Sequence, residues 1–338
     1  MPAGDNILIP VNTMQNEFCQ KLIRVGFSEI KAKQCAEIFT ASSLDGIYTH
    51  GVNRFAAFVN YSKKGFVKPD AEPSLKNGFG NIEQWDGHLG PGPLNAIVAT
   101  ERAMQLADRS GIGCVALSNT NHWMRGGTYG WHAARKGYVF IGFTNTIANM
   151  PVWGGVERKL GNNPLVIAIP YNDEAIVLDM AMSQYSFGAL HQAKMRNEKL
   201  AVNGGFDIHG NLTNDPGMII ESKRPLPAGY WKGAGMALLL DMLATILSGG
   251  LATHEISSKE VEYGLSQVFI AINTSGLASS SSVNTILENI IRDYHHSAMT
   301  DGSGKTVYPG ERVLATRKRN LEKGIPVLLS VWEEISQL

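Results

Sequence analysis

Gly111-Ile112-Gly113-Cys114-Val115-Ala116 has the letters of the dinucleotide fingerprint G-x-G-x-x-A, and its reading decides the fold. In an open nucleotide-binding sheet, such a run leaves a strand, turns through its glycines and opens a helix whose N-terminus receives the pyrophosphate. Here the order is reversed. Residues 94–107 have helical spacing and precede the run, while 113–118 read as a strand that starts inside it. Gly111 is therefore expected just past a helix C-terminus, where a left-handed residue closes the last turn. The letters match a Rossmann site, but the context does not.

Upstream of the glycines the chain looks helical. Residues 7–11 read as a short strand, Asn12 with Gln15 as a capping box for a helix ending near Gly26, and Ser28 as the cap of a helix reaching Leu44. A third helix is expected to open at His50–Arg54 and to stop before Gly65. From Gly78 the texture changes. Strands are expected at 81–85, 113–118, 139–144, 165–170, 175–180 and 267–273, with helices at 94–107 and 128–136. A long apolar helix spans 233–247; Asp241 interrupts it, so it reads as a buried core helix and not a membrane span. Amphipathic helices at 282–295, 311–323 and 327–338 close the chain. Two units result: a helical subdomain over 1–75 packed with the helices of about 312–338, and a mixed α/β unit over 76–311.

Composition narrows the function classes. At 338 residues and 44% hydrophobic content, the chain can bury a large core. Thirty basic residues balance thirty acidic ones, so no net field draws it to nucleic acid or to an anionic membrane. Thirty-six glycines imply many tight turns and close backbone approaches. Cys19, Cys35 and Cys114 are odd in number and scattered, which argues against a disulfide framework and for a reducing compartment. Residues 1–5 lack a basic leader, and no apolar run reaches spanning length, so a cytoplasmic protein is expected. The histidines show no metal-ligand spacing and no G-x-S-x-G elbow occurs, so neither a metal site nor a serine hydrolase is expected.

Chemistry concentrates in Tyr48-Thr49-His50-Gly51-Val52-Asn53-Arg54-Phe55. On a helix, His50 and Arg54 share one face a turn apart. An imidazole trades a proton near neutral pH, and an arginine fork holds a carboxylate. A second polar cluster, Asn119-Thr120-Asn121-His122-Trp123-Met124-Arg125-Gly126-Gly127, follows a strand end, where α/β proteins place ligand loops. Thr144-Asn145-Thr146, Gly161-Asn162-Asn163-Pro164 and Leu178-Asp179-Met180-Ala181-Met182-Ser183 share that character. Gly229-Tyr230-Trp231-Lys232-Gly233 puts a lysine and aromatic rings at a helix start, suited to a pyrophosphate and a stacked ring; core packing explains Trp231 equally well.

Together these residues resemble the malate/L-lactate dehydrogenase family, also called the sulfolactate dehydrogenase-like family of NAD(P)-dependent oxidoreductases. The resemblance runs in order through THGVNRF at 49–55, TNHWMRGG at 120–127, GNNPLVIAIP at 161–170, LDMAMS at 178–183, WKGAG at 231–235 and YPGER at 308–312. It implies a mixed α/β, non-Rossmann nicotinamide-binding fold with helices from both chain ends, a homodimer, and NAD(H) as cofactor. It places the proton donor on His50, with substrate contacts at Arg54 and His122. The residues themselves suggest Thr49 as a neighbour that orients His50, and Arg125 as a further donor to substrate. Cofactor contacts fall on Ala175, Ile176, Val177, Leu178, Asp179, Met180 and Ala181, on Trp231 and Lys232, and on Pro309, Gly310 and Glu311. The implied reaction moves hydride from NADH to a ketone next to a carboxylate. Asn-His-Trp-Met-Arg-Gly-Gly at 121–127, with Ile82-Glu83-Gln84-Trp85-Asp86, points within the family to a keto sugar acid. The alternatives are a malate, lactate, sulfolactate or ureidoglycolate dehydrogenase using the same residues and, more remotely, a non-catalytic sugar-acid-binding protein.

Overall fold

The computed structural model describes residues 6–277, 279–300, 304 and 306–338; positions 1–5, where the missing basic leader was read, lie outside them. In chain order the first elements are β1 (Asn6–Ile9), α1 (Val11–Arg24), α2 (Glu29–Leu44), a 3-10 turn (Tyr48–His50), α3 (Val52–Lys63), β2 (Ser74–Phe79), β3 (Ile82–Asp86), α4 (Gly92–Ser110) and β4 (Ile112–Thr120). The middle holds α5 (Gly127–Ala134), β5 (Tyr138–Thr144), β6 (Ala148–Pro151), β7 (Arg158–Gly161), β8 (Leu165–Tyr171), β9 (Glu174–Met180), α6 (Phe187–Met195), β10 (Gly205–Phe206), β11 (Leu212–Thr213) and α7 (Pro216–Ser222). The last third holds α8 (Trp231–Ser248), α9 (Thr253–Ser257), β12 (Leu265–Asn273), α10 (Ser280–His295), α11 (Glu311–Lys323), β13 (Ile325–Leu328) and α12 (Leu329–Ser336).

Seven strands form one sheet in the order β2-β3-β4-β12-β5-β8-β9. Only β3 and β4 pair in parallel, joined by α4; every other neighbouring pair is antiparallel. The glycine run sits where its context put it. Gly111, at φ +85°, closes α4 in the left-handed conformation, and β4 begins at the next residue. A Cβ on Gly113 would lie 2.2 Å from the Ala103 carbonyl oxygen, so this glycine lets α4 press onto the sheet.

Side-chain alternation divides the sheet between two cores. Val115, Leu117, Phe140, Phe269 and Ala271 face α4 and α5. Cys114, Ala116, Phe143 and Val268 face α8. A third core joins the chain ends: Phe18, Phe39 and Phe55 from α1, α2 and α3 pack with Ile325, Val327 and Ile335. The rings of Phe18 and Phe55 stack at 3.9 Å, and Phe39 meets Phe55 edge-on at 5.3 Å. Burying each ring contributes about 1.5–3 kcal/mol, which anchors α3 and the turn before it. β1 pairs antiparallel with β13, from Asn6 opposite Leu328 to Ile9 opposite Ile325.

Several sequence expectations need correction. Helix α1 starts at Val11 behind Pro10 and has no side-chain cap, so Asn12 and Gln15 form no capping box. The last amphipathic segment opens as β13, because Ile325 to Leu328 alternate against β1 before the chain turns helical. The short elements between 187 and 222 carried no periodic signal and were not expected. Helix α8 is buried on one side only. Ala237, Leu240 and Ala244 face the sheet, whereas Leu239 is 56% and Ile246 73% exposed. By length and composition α8 could also span a membrane, contrary to the expectation; Asp241, accepting from Asn145 Nδ2 and the Thr253 N–H, ties it to the sheet's end.

Candidate active site

Two turns carry the central side chains. The first is the 3-10 turn ending at His50. Contrary to the expectation that the third helix opens at His50, α3 begins at Val52, because Gly51 breaks the chain direction at φ −116°, ψ −119°. A Cβ on Gly51 would sit 2.2 Å from Ser43 Oγ and 3.0 Å from the Phe39 carbonyl oxygen. Ser43 Oγ donates to that carbonyl and accepts the Val52 N–H at 2.8 Å, satisfying one of the free amides at the start of α3. His50 and Arg54 are thus joined through a bend fixed by glycine and serine.

The second turn follows β4. Asn121 Nδ2 donates to the carbonyls of Phe66, Leu89 and Gly90, and Gln267 Nε2 donates to the Asn121 carbonyl. Met124 is held in the left-handed region at φ +66°, and its N–H donates to His122 Nδ1 over 2.9 Å. That bond leaves Nε2 as the protonated nitrogen of a neutral ring. Burial first, then the charges of Arg54 and His50, hold His122 well below the usual imidazole range.

The two turns bring the histidines face to face, with centroids 5.7 Å apart and planes 23° from parallel. His50 Nδ1 lies 3.1 Å from Thr49 Oγ1. Burial lowers the His50 pKa, Asp179 raises it, and Arg54 and Arg125 lower it further. Asp179, near the end of β9, accepts the Gly127 N–H at 2.7 Å, which fixes its carboxylate at the start of α5. Arg54 forms no ion pair among the described residues. With His122 it lines a cavity of about 20 Å³ that also touches Phe58, Tyr61, Met124 and Glu262.

Glu262 had no signal in the sequence, being one acid in a short polar stretch before β12. Its Oε1 is shut off from solvent and has no hydrogen-bond partner among the described residues. Burial pushes its carboxyl up to about 7, opposed by Arg54 and the Ile147 backbone N–H.

Arg125 does not reach the site as expected. It is buried and pairs through Nη1 with Asp45, whose carboxylate also receives Arg317 Nε at 2.6 Å and Nη2 at 2.9 Å. Trp123 likewise packs in the core against Tyr129 and Phe269. The loop gives the cavity Asn121, His122 and Met124, while Trp123 and Arg125 are anchored elsewhere. Two other polar segments also prove to be anchors. Asn145 binds Asp241 and the Leu251 carbonyl, and Asn163 joins the Thr146 N–H to the Ala237 carbonyl.

The cofactor candidates fall into two groups along β9. The Val177 N–H donates to the Pro309 carbonyl at 3.1 Å, so the turn at Pro309, Gly310 and Glu311 lies against the strand carrying Ala175, Ile176 and Leu178. Past Met180 and Ala181, the Ala228 N–H donates to the Met182 carbonyl, which brings the start of α8 to that end of the strand. There Trp231 is 64% exposed, Lys232 is exposed beside it, and no side chain caps the helix. A cleft of about 900 Å³ opens on the other side of Thr49, toward α6 and β13.

Known proteins share this architecture. The family described as malate/L-lactate dehydrogenase matches residues 9–336. The 2,3-diketo-L-gulonate reductase of Pasteurella multocida (strain Pm70) is 44% identical over 332 residues, 98% of this chain and 99% of its own length. That of Escherichia coli O6:K15:H31 (strain 536 / UPEC) is 44% identical over 323 residues, 95% of this chain and 97% of its own. Among solved structures, malate dehydrogenase from Entamoeba histolytica superposes with a TM-score of 0.93 at 24% identity, covering 98% of this chain and 97% of that one. Sulfolactate dehydrogenase from Methanocaldococcus jannaschii gives 0.87 at 26% identity, covering 97% and 95%.

Proposed function

The chain belongs to the malate/L-lactate dehydrogenase family and is an oxidoreductase, and from that premise we propose that it reduces 2,3-diketo-L-gulonate to 3-keto-L-gulonate with NADH. The substrate comes from the names of its relatives. The reaction type rests on one observation: Arg54, with no ion pair among the described residues, lies beside two facing histidines, both lowered in pKa by burial and only His50 opposed by a carboxylate, Asp179.

Arg54 receives the substrate carboxylate through paired hydrogen bonds, which fixes the adjacent ketone against the histidines. His122 donates from Nε2 to an oxygen of the substrate and, being neutral, takes no proton from it. His50, as imidazolium, protonates the oxygen as the carbonyl becomes an alkoxide. Carboxylate binding offsets the Arg54 charge that lowers the His50 pKa, so substrate arrival strengthens the hold of His50 on its proton. Asp179 stabilises that imidazolium, and Thr49 steadies its ring.

A bound nicotinamide supplies the hydride. The residues proposed to hold it are Ala175 to Ala181 on β9, the turn at Pro309 to Glu311, and Trp231 with Lys232. An exposed indole and an ammonium at an uncapped helix start suit a flat ring and a pyrophosphate.

The active form is proposed to be a cytoplasmic homodimer. Met236, Leu239, Leu243 and Ile246 make an exposed apolar stripe on α8 that a second copy would cover. Within each chain, the helical unit of 1–75 with about 312–338 carries His50 and Arg54, and 76–311 carries His122 and the cofactor strand.

The test is NADH consumption with 2,3-diketo-L-gulonate, pyruvate, oxaloacetate and sulfopyruvate. The diketo acid should lead by on the order of 10⁴ in kcat/KM, as expected when buried donors are left unpaired by a shorter substrate. Comparable turnover of pyruvate or oxaloacetate would move the assignment to a lactate or malate dehydrogenase. Binding without turnover of any would mean a sugar-acid-binding protein.

A further inference from the structure

Glu262 does not belong to the proton-donor and carboxylate machinery, yet it shares a cavity with it. Its Oε1 is closed to solvent and unpartnered among the described residues. Arg54, His122, Tyr61 and Asn121 line the same space, and Phe58, Val67 and Met124 supply buried apolar wall. No ion pair joins Glu262 to Arg54 among the described residues, which leaves the cavity they both line as a gap to fill. At about 20 Å³, that gap holds one oxygen-sized group.

The chemistry of that group follows from its surroundings. It must accept from the donors and donate to an unpartnered acceptor, Glu262 Oε1 or Asn121 Oδ1. A ketone oxygen accepts only, a methyl does neither, and a carboxylate would be repelled by an ionised Glu262. A hydroxyl does both, as does the water it would displace. We propose that Glu262 is a specificity-determining residue whose Oε1 accepts a hydrogen bond from a hydroxyl on the substrate's carbon chain, selecting hydroxylated 2-keto acids over unsubstituted ones. The proposal rests on the reading of Arg54 and His122 as substrate contacts. Burial raises the Glu262 pKa, and a hydroxyl donating to Oε1 would favour its ionised form.

The experiment compares six-carbon 2-keto acids that differ only in hydroxyls: 2-oxohexanoate and its 4-, 5- and 6-hydroxy derivatives. With wild type, at least one hydroxylated acid should exceed 2-oxohexanoate in kcat/KM by about 10- to 100-fold, the range for leaving a buried polar group unpaired. Equal values, or no turnover of any of the four, overturn the proposal without recourse to a variant. Glu262→Leu should collapse that ratio toward one by lowering the hydroxylated substrate alone, and Glu262→Gln, which keeps an acceptor oxygen, should restore most of it. A proportional loss on both substrates in Glu262→Leu would mean a structural role and also overturn it. Failure of the wild type on 2,3-diketo-L-gulonate, with the hydroxyl preference intact, would remove the proposed substrate but leave this inference standing.

Discussion

The imidazoles of His50 and His122 face each other with centroids 5.7 Å apart and planes 23° from parallel. Met124 donates to Nδ1 of His122, so a proton there would set two N–H groups against one another. Arg54 and His50 disfavour that charge further. His50 has the compensating carboxylate of Asp179, so it is the ring proposed as acid and His122 the ring proposed as a fixed donor. His50→Ala should lower kcat by about 10²–10⁴ while leaving NADH affinity near wild type, measured by fluorescence quenching. A variant keeping more than about a tenth of wild-type kcat would remove His50 as proton donor.

The pH profile follows from the same pair. A lowered pKa means His50 loses its proton at a lower pH than an ordinary histidine. In the reduction direction, kcat/KM should therefore fall as pH rises through a point below the usual imidazole value. Asp179 raises that pKa, so Asp179→Asn should move the fall lower still. Asparagine can still accept the Gly127 N–H, which separates the charge effect from a folding effect. An unmoved profile would show that Asp179 does not act on the titrating group.

Arg54→Lys keeps the charge and loses the planar fork. KM for the carboxylated substrate should rise at least about tenfold, with kcat changed less, because ground-state positioning is what is lost. An unchanged KM would place the carboxylate on another cation.

Much of this architecture is legible in the sequence, and the illegible parts share a physical cause. Periodic segments such as α2, α4, β5 and β9 are marked by their own spacing, and Gly111 marks the helix-to-strand order that rules out a Rossmann crevice. His50, Arg54 and His122 stand out because their chemistry is rare on a short segment. What spacing cannot express is a partner far along the chain. Arg125 looks like a free donor until Asp45 and Arg317 are found around it. Asn145 and Asn163 look like ligand contacts until α8 supplies their partners. Glu262 has no periodic context and becomes visible only beside Arg54 and His122. Helix α8 looks buried all round in the sequence, since composition records how apolar it is and not which side faces the sheet.

The Asp45 cluster makes a stability prediction. Arg125 and Arg317 share one buried carboxylate, tying the loop after β4 and helix α11 to the end of α2. Asp45→Asn would leave two guanidinium groups without their counter-charge. Removing one partner of a buried pair costs about 3–5 kcal/mol, so Tm should drop by about 4–7 °C in thermal unfolding of a chain this long. Arg317→Met leaves Arg125 paired with Asp45 and should cost less. Equal effects would mean that Arg317 carries most of the cluster.

The outer stripe of α8 gives the most direct test of assembly. Met236, Leu239, Leu243 and Ile246 recur at helical spacing on the side away from the sheet, and all four are exposed in a single chain. Leu239→Glu keeps a good helix former and leaves the inner contacts of Ala237 and Leu240 untouched, so the chain should still fold. A second copy, however, would have to bury that carboxylate without a partner. In light scattering, wild type should have the mass of two chains at micromolar concentration, and the variant should shift toward one. Trp231 and Lys232 begin the same helix, so dissociation should also weaken NADH binding if the second copy holds that end in place. A wild type that is monomeric and fully active at micromolar concentration would leave the stripe without its proposed partner.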